Sequence, residues 1–251
     1  MKSEGDVDAA RRLFYAHRPN NLRYLLHKRF SWMNEYCQGK ESVIEVGSGP
    51  AFTKDYIHNP HFKTTDYKKQ PWIDLEMDAL QTHFADQSVD VVISTHMIHH
   101  LAKPVVFFRE MERILKPGGL LLIQEIETSF MMRLLLRLMR HEGWSYEARV
   151  FDEDCICNDP RDPWSANCAI PQLLFSDSHQ FEHRVPGFKI LRNKLCECLI
   201  FPLSGGVIAK AKTINLPWKV MEWIDKLDTF LVWLCPSIFA LGRSVVLEKR
   251  T

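Results

Sequence analysis

Short apolar runs alternate with helical patterns along the first half of the chain. Four runs, rich in β-branched residues or leucine, predict strands over 42–46, 62–67, 89–95 and 120–126. Between the last two, the apolar residues of 103–119 recur at helical spacing, and Pro117-Gly118-Gly119 predicts a helix end followed by a tight turn. Strands that alternate with helices in this way predict a parallel sheet covered on both faces.

The pattern changes after residue 126. The later segments predict a helix over 131–141, a proline-rich loop over 151–172, and closing strands over 188–202 and 244–250. The segment between the closing strands is too long for a hairpin turn, so we expect a helical insertion over 203–243. Four parts are therefore expected: an N-terminal helical lid over 1–41, a core over 42–126, a cap over 127–187 and closing strands over 188–251.

Composition narrows the class of protein. The 251 residues are 46% hydrophobic and 25% charged, which suits one α/β domain with elaborations. A formal net charge of +1 gives no general argument for a nucleic-acid partner. The N-terminus is polar, and no apolar run approaches the roughly 18 residues that span a bilayer, so we expect a cytoplasmic protein. Seven cysteines are expected as reduced thiols, and their C-x-C spacing is a weak zinc signal, so no metal is expected.

A glycine turn follows the first predicted strand. Glu45 lies on that strand, two residues before Gly47-Ser48-Gly49, and Asp66 lies near the end of the next strand. A dinucleotide site would have a third glycine where this chain has Phe52. Glycines let the backbone approach a ligand closely, and an acid at the end of the second strand can accept both hydroxyls of a ribose. The turn alone fits any doubly wound protein.

Four motifs in order resemble the class I S-adenosylmethionine-dependent methyltransferases, in particular the type 11 small-molecule branch. The first is Glu45-Val46-Gly47-Ser48-Gly49, with Ala51 where the family often has a third glycine. The other motifs lie in residues 77–101 and 109–125, and the resemblance covers residues 42 to about 126. It implies a Rossmann-like α/β fold with a seven-stranded, mostly parallel sheet, helices on both faces and cap insertions. It also implies S-adenosylmethionine as cofactor and S-adenosylhomocysteine as its product.

The same resemblance implies which residues bind the cofactor. Asp78 and the backbone amide of Ala79 would read the adenine amino group and N1, and Thr95 and His96 would lie beside the methionine moiety. The full set is Glu45, Gly47, Ser48, Gly49, Asp66, Asp78, Ala79, Thr95 and His96. Single residues of this set also fit a purely structural role; Asp78, for example, also fits a helix cap.

Candidate catalytic residues follow the fourth strand, where ligands of open α/β sheets bind. His99 is the first candidate for a general base and His100 the second, because a histidine near neutral pH can accept the proton of an alcohol or phenol. Either one could instead pack against the next helix or cap it. Candidate acceptor-binding residues lie in the predicted cap: Trp144, Tyr146, Trp164 and Asn167. The tryptophans could equally anchor the cap to the sheet.

Three functions fit these observations. The first is an O-methyltransferase for a small amphipathic or lipid-linked acceptor, and the second is a C-methyltransferase of the quinone or aromatic-polyene type. The third is a non-catalytic scaffold, although the donor motif is intact. The nucleic-acid reading is weak, because residues 94–100 lack the Asn/Asp-Pro-Pro-aromatic tetrapeptide of base-directed enzymes.

Two amphipathic stretches raise the question of membrane contact. Arg133, Arg137 and Arg140 recur between leucines and methionines, and an apolar run over 230–242 follows a charged turn. Both fit peripheral contact with the inner face of a membrane, and both fit cap helices that pack on the sheet or on a second subunit. A monomer and a homodimer remain equally open.

Overall fold

A single sheet organises the molecule. The structure is a computed structural model that describes residues 6–139, 142–162, 164–208 and 211–251. Within these residues the strands are β1 (Val43–Val46), β2 (Phe62–Asp66), β3 (Leu75–Glu76), β4 (Val89–Thr95), β5 (Leu115–Ile126), β6 (Phe188–Cys196) and β7 (Gly242–Lys249). Their order is β3-β2-β1-β4-β5-β7-β6, and only β7 runs antiparallel to its neighbours. The expected seven-stranded, mostly parallel sheet is confirmed.

Helices cover the sheet and fill the insertions. In the part of the chain that the structure describes they are α1 (Val7–His17), α2 (Asn20–Phe30), α3 (Asn34–Cys37), α4 (Pro104–Ile114), α5 (Phe130–Met139), α6 (Ile170–Phe175), α7 (Ser178–Arg184), α8 (Ile200–Leu203), α9 (Trp218–Leu234) and α10 (Pro236–Phe239). Short 3-10 turns follow the glycine turn at Phe52–Asp55 and β4 at Ile98–His100.

The core has two apolar layers, one on each face of the sheet. On one face α4 packs Phe107, Phe108 and Met111 against alternate residues of the central strands. On the other face α1 and α2 pack side chains that include Phe14 and Leu25 against the remaining strand residues. Successive side chains of a strand point to opposite faces, so strands buried on both sides are apolar almost throughout. Helices on both faces are therefore confirmed.

A buried acid connects the N-terminal helices to the insertion between β6 and β7. Asp228 of α9 is fully buried and accepts hydrogen bonds from the backbone nitrogens of Cys198 at 2.6 Å and Leu199 at 2.5 Å. Lys28 of α2 lies 3.3 Å from the Asp228 carboxylate and also pairs with Asp225. A buried carboxylate needs such partners because it has lost its hydration. The contacts hold α9 beside α2.

Two predicted boundaries were wrong. The helix expected to reach Pro117 ends at Ile114, because Leu115 already pairs with Val89 of β4 and the strand then shifts register through the glycine turn. The closing strand expected over 188–202 ends at Cys196, because the Asp228 carboxylate binds the next amides and a helix begins at Ile200.

Other predictions require smaller revisions. β3 is a short, exposed pair of residues at the sheet edge that was not predicted. The helix expected over 131–141 spans Phe130–Met139, and Arg140 and residue 141 lie outside the described residues. Within the described ranges, no helix has both the length and the apolar character needed to cross a bilayer.

Truncation of a core ring tests the packing of α4 on the sheet. Phe108 is fully buried and lies near the rings of Phe175, Phe181 and Phe188. We expect Phe108→Ala to lower the free energy of unfolding by about 3–5 kcal/mol, because it removes buried area and leaves a cavity. Urea unfolding followed by circular dichroism measures this. Leu138→Ala, at a side chain that is 72% exposed, is the control and should change the value by less than about 0.5 kcal/mol. Equal effects would contradict the packing described.

Candidate active site

A cavity of about 770 Å³ opens at the carboxyl ends of the central parallel strands. Its wall includes the glycine turn after β1, the end of β2 and the segment after β4. Parallel strands bring their carboxyl ends to one edge, where ligands of open α/β sheets bind. The volume lies within the roughly 300–1,000 Å³ typical of small-molecule sites. The cavity is therefore the candidate active site.

The glycine turn has the backbone form that its sequence predicts. Gly47 and Gly49 have φ angles of 66° and 50°, in the left-handed region that favours glycine. A Cβ atom on Gly47 would lie 2.4 Å from Cγ of Met97, so that glycine also lets the turn pack against the segment after β4. Ala51, where the resemblance places a third glycine, adopts φ 50° as well.

Glu45 is a buried acid beneath this turn. Its carboxylate accepts hydrogen bonds from the hydroxyls of Thr53 and Thr95, the latter at 2.9 Å. Burial raises the pKa of Glu45 to about 7, against the opposing effect of these hydrogen bonds. Glu45 therefore ties the glycine turn to the end of β4 and sets the shape of the cavity floor.

Asp66 reaches the glycine turn from the end of β2. One carboxylate oxygen accepts the backbone N–H of Gly49 at 2.7 Å, and the other accepts that of Lys68 at 3.1 Å. An ionised carboxylate offers about four lone-pair positions, so both oxygens can still accept further hydrogen bonds. Asp66 is half-buried in the cavity wall, as a carboxylate that binds two ribose hydroxyls would be.

The remaining predicted cofactor residues also line the cavity. Asp78 is exposed and accepts the backbone N–H of Leu80 at 2.8 Å, with Ala79 beside it. His96 adopts φ 49°, and its Nε2 atom is buried without a hydrogen-bond partner among the described residues. Burial, aided by the charge of Arg29, lowers the pKa of His96 well below its usual value. The structure thus brings all nine predicted cofactor residues to one cavity.

His99 forms a buried pair with Glu125, an acid of β5. His99 Nδ1 lies 2.6 Å from Glu125 Oε2, and the other carboxylate oxygen accepts the backbone N–H of Ile98 at 2.6 Å. His99 Nε2 lies 3.8 Å from the carboxylate of Glu142, which also lines the cavity. Glu125 thereby fixes the ring so that Nε2 is the nitrogen directed away from the sheet.

The charges around His99 set its protonation. Burial alone would lower the pKa of His99, but the charge and hydrogen bond of Glu125 and the charge of Glu142 together raise it to about 8. His100 stacks on it, with ring centroids 4.2 Å apart, and its Nδ1 donates a hydrogen bond to the Ser165 carbonyl oxygen at 3.2 Å. Burial and the neighbouring charge of His99 lower the pKa of His100 to about 4. Near neutral pH the proton resides on His99.

Three of these groups lie close enough to bracket a cation. Ligand atoms of His99, His100 and Glu142 all lie within 4.8 Å of one another. A protonated His99 between Glu125 and Glu142 already balances one of the two carboxylate charges, so the cluster has a sufficient explanation as a shared proton site. The expectation of no metal stays a prediction.

The predicted acceptor residues do not converge on the cavity. Trp164 lines it, with its ring 6.5 Å from that of His100. The described cavity wall does not include Trp144, Tyr146 or Asn167. Asn167 is buried and bonded to the backbone of Ser145, and the Tyr146 hydroxyl lies 3.1 Å from that of Thr128. Asn167 and Tyr146 hold cap segments together. The assignment of Trp144, Tyr146 and Asn167 to substrate binding stays a prediction, and these three residues do not line the described cavity wall.

Two helices, one from the predicted lid and one from the predicted cap, supply apolar residues of the cavity wall. α5 contributes Met132, Leu135, Leu136 and Met139, and α2 contributes Leu26 and Phe30. Arg29 of α2 also lines the cavity and makes a buried, bidentate ion pair with Glu197, with N–O distances of 2.8 and 2.6 Å. The wall accommodates an apolar ligand beside a polar floor.

Glu125 and Glu142 are the site residues that sequence reasoning missed. Glu125 stands in an otherwise apolar strand run, residues 120–126, and an acid buried in such a run needs a partner. Its position at the carboxyl end of β5, next to the end of β4, was the signal that could have found it. Glu142 follows α5 in a loop, and no spacing rule brings it near His99.

Comparison with known proteins agrees with this geometry. Residues 47–123 match the family model described as a methyltransferase domain. A crystal structure of a SAM-dependent methyltransferase from Archaeoglobus fulgidus has the same fold, with a TM-score of 0.55, 16% identity, and coverage of 90% of this chain and 94% of that one. The match covers the part of this chain that runs from the glycine turn to β5, and the structural likeness shows that the fold is that of a SAM-dependent methyltransferase.

Curated relatives are much longer than this chain. The hybrid PKS-NRPS synthetase iccA of Talaromyces variabilis is 29% identical over 90 residues, which are 36% of this chain and 2% of that protein. The polyketide synthase-nonribosomal peptide synthetase TwmB of Talaromyces wortmannii is 26% identical over 152 residues, 53% of this chain and 5% of that protein. The chain thus spans only a few per cent of the length of these relatives.

Two glycines with similar backbone angles test the role of the turn. Gly39 has φ 71° and open space where a Cβ would lie, whereas a Cβ on Gly47 would meet Met97. We expect Gly39→Ala to lower the free energy of unfolding by roughly 1 kcal/mol, because a non-glycine residue is strained in the left-handed region. We expect Gly47→Ala to lower it further and to weaken S-adenosylmethionine binding at least tenfold. Thermal unfolding and calorimetric titration measure both, and unchanged cofactor binding by Gly47→Ala would refute the assignment of the turn.

Proposed function

We propose that this protein is an S-adenosylmethionine-dependent methyltransferase that methylates an acidic position of a small amphipathic or lipid-linked acceptor, with oxygen as the atom that receives the methyl group. The single observation that carries the proposal is the buried His99–Glu125 pair in the wall of the cofactor cavity. A histidine oriented by a carboxylate is an arrangement suited to removing a proton from a nucleophile.

The role of each residue follows from its position. When bound, S-adenosylmethionine would supply a methyl group attached to a cationic sulfur. The bond between that carbon and the sulfur breaks, and the sulfur leaves as part of the neutral thioether S-adenosylhomocysteine. The glycine turn and Asp66 hold that cofactor, and His99 Nε2 takes the proton of the acceptor. Glu125 orients the ring and stabilises the imidazolium that results, while the acceptor oxygen bonds to the methyl carbon. Alignment of the two reactants is the other main contribution of the site.

The cavity wall supports an acceptor with a large apolar part. Met132, Leu136 and Phe30 belong to a wall in which apolar side chains predominate, while Glu45, Asp66 and His99 supply polar groups at the strand ends. An amphipathic acceptor would place its acidic group beside His99 and its apolar part against α5.

Carbon methylation is the second candidate, favoured by the relatives. The matched proteins are named as polyketide synthase-nonribosomal peptide synthetases, and a polyketide chain carries acidic C–H positions between carbonyl groups. The same His99–Glu125 pair could remove such a proton, and the resulting enolate would attack the methyl group through carbon. A non-catalytic scaffold is the third candidate and would bind the cofactor without turnover.

Replacement of the proposed base tests the function. We expect His99→Gln to lower turnover about 10²- to 10⁴-fold, because the proton acceptor is lost, while S-adenosylmethionine affinity changes little. His83→Gln, at an exposed histidine outside the cavity wall, is the matched control and should retain full activity. Transfer of a ¹³C-labelled methyl group to an alkylphenol and to a 3-ketoacyl thioester is followed by NMR, which separates methoxy from carbon-bound methyl carbons.

The pH dependence of kcat/KM is a second test of the His99 assignment. The active form carries neutral His99, and its pKa is raised to about 8, so kcat/KM should rise with pH and level off above about 8. Glu125→Gln should move that rise to lower pH, because the carboxylate that raises the pKa is gone. Full activity of His99→Gln would refute the base assignment, and cofactor binding without transfer to either probe would favour the scaffold. A chelator arm should leave activity unchanged.

A further inference from the structure

Helix α9 carries apolar side chains on two opposite faces. Met221, Asp228 and Val232 are buried against the domain. The opposite arc holds Val220, Trp223, Leu227, Phe230 and Leu234, which recur at helical spacing and are all exposed. Trp223 is 71% exposed and the neighbouring Trp233 is 76% exposed. A surface helix of an isolated domain normally has one apolar face, so the exposed apolar face of α9 indicates an interaction site.

Helix α5 repeats this arrangement next to the active site. One side of α5 lines the cavity, as described above, and the other side exposes Phe130, Leu134 and Leu138 at four-residue spacing. The short helix α10 packs against both α5 and α9 and exposes Ile238. We call the combined exposed apolar face the α5–α9 surface; it consists of Phe130, Leu134, Leu138, Val220, Trp223, Leu227, Phe230, Trp233, Leu234 and Ile238.

Basic side chains lie beside this surface. Arg133 and Arg137 flank the exposed stripe of α5, and Lys219 and Lys226 flank that of α9, with Lys226 Nζ 4.6 Å from the ring centroid of Trp223. Asp225 and Asp228 of α9 both pair with Lys28 of α2. Among the described residues of α9, the remaining acid is Glu222, which is exposed. The surface therefore combines apolar and aromatic side chains with a net positive border.

We propose that the α5–α9 surface docks on an anionic lipid bilayer, with α9 lying in the plane of the headgroups. Tryptophan favours that interface, and lysine and arginine beside an apolar face bind anionic headgroups. No described helix can cross the bilayer, so the contact is peripheral. Two copies of this chain would fit each other less well here, because symmetric contact would bring the two basic borders together.

The docking surface has a consequence for the acceptor that rests on the proposed function. Helix α5 exposes its part of the α5–α9 surface on one side and lines the cavity with the other side. The exposed stripe of α5 is therefore one helix width from the cavity. An acceptor dissolved in the bilayer would meet this helix first and could enter the cavity without passing through water. The acceptor class that fits is a lipid-soluble molecule with an acidic headgroup position.

Vesicle flotation tests the docking directly. The full chain is mixed with vesicles of phosphatidylcholine alone or of phosphatidylcholine with phosphatidylglycerol, and the bound fraction is measured after centrifugation. We expect binding to the anionic vesicles, weaker binding to the neutral ones, and at least a tenfold loss of binding in the double variant Phe230→Glu/Trp233→Glu. Ile156→Glu is the matched control, at a side chain that is 62% exposed outside the surface, and should float as the unchanged protein does.

Each outcome decides the proposal. Absence of flotation, equal flotation of the double variant, or equal binding to neutral and anionic vesicles would overturn it. A concentration-dependent dimer that the double variant abolishes, without vesicle binding, would assign the surface to a second copy instead. Circular dichroism and S-adenosylmethionine titration of the same preparations show that the variants are folded. If the unchanged protein does not bind S-adenosylmethionine, the proposed function is refuted, but the flotation result still tests the docking surface.

Discussion

The parallel pairing of β1 with β2 and β4 is the constraint on which the site depends. β1 is buried along its length, and its register places Glu45 beside Thr64 of β2 and Ile93 of β4. All three strands therefore end at the same edge, and the glycine turn, Asp66 and the histidine segment meet there. A shift of one residue in this register would reverse which side chains face each layer of the core.

Buried charges in this protein are paired, and the pairs join the site to its surroundings. Glu45 bonds two threonine hydroxyls, His99 bonds Glu125, and Arg29 bonds Glu197. The first two pairs join β1 and β5 to segments at the cavity, and the third joins α2 to the residue that follows β6. A buried charge that loses its partner destabilises a protein strongly, so these pairs also constrain how the site can vary. Arg29 of α2 lines the candidate cavity and belongs to one such pair, so this ion pair joins the cavity wall to the segment after β6.

The sequence predicted the core of this fold better than its additions. Strand and helix periods located β1, β2, β4 and β5, and the nine residues predicted to bind the cofactor all line one cavity. Local patterns could not show that Glu142 lies beside His99, because that approach depends on how a loop after α5 folds back. Local patterns also did not show that the Asn167 amide bonds the backbone of Ser145 within the cap, and its role in acceptor binding stays a prediction. The end of β6 was set by a carboxylate from α9, a contact that no local rule contains.

We propose that the cavity at the strand ends binds S-adenosylmethionine through the glycine turn and Asp66. Isothermal titration of the purified protein with S-adenosylmethionine and S-adenosylhomocysteine, beside Asp66→Ala and the exposed control Asp154→Ala, measures this binding. We expect the unchanged protein and the control to bind both ligands, and Asp66→Ala to bind them at least tenfold more weakly. Equal affinity in Asp66→Ala, with all proteins folded, would contradict the placement of the cofactor.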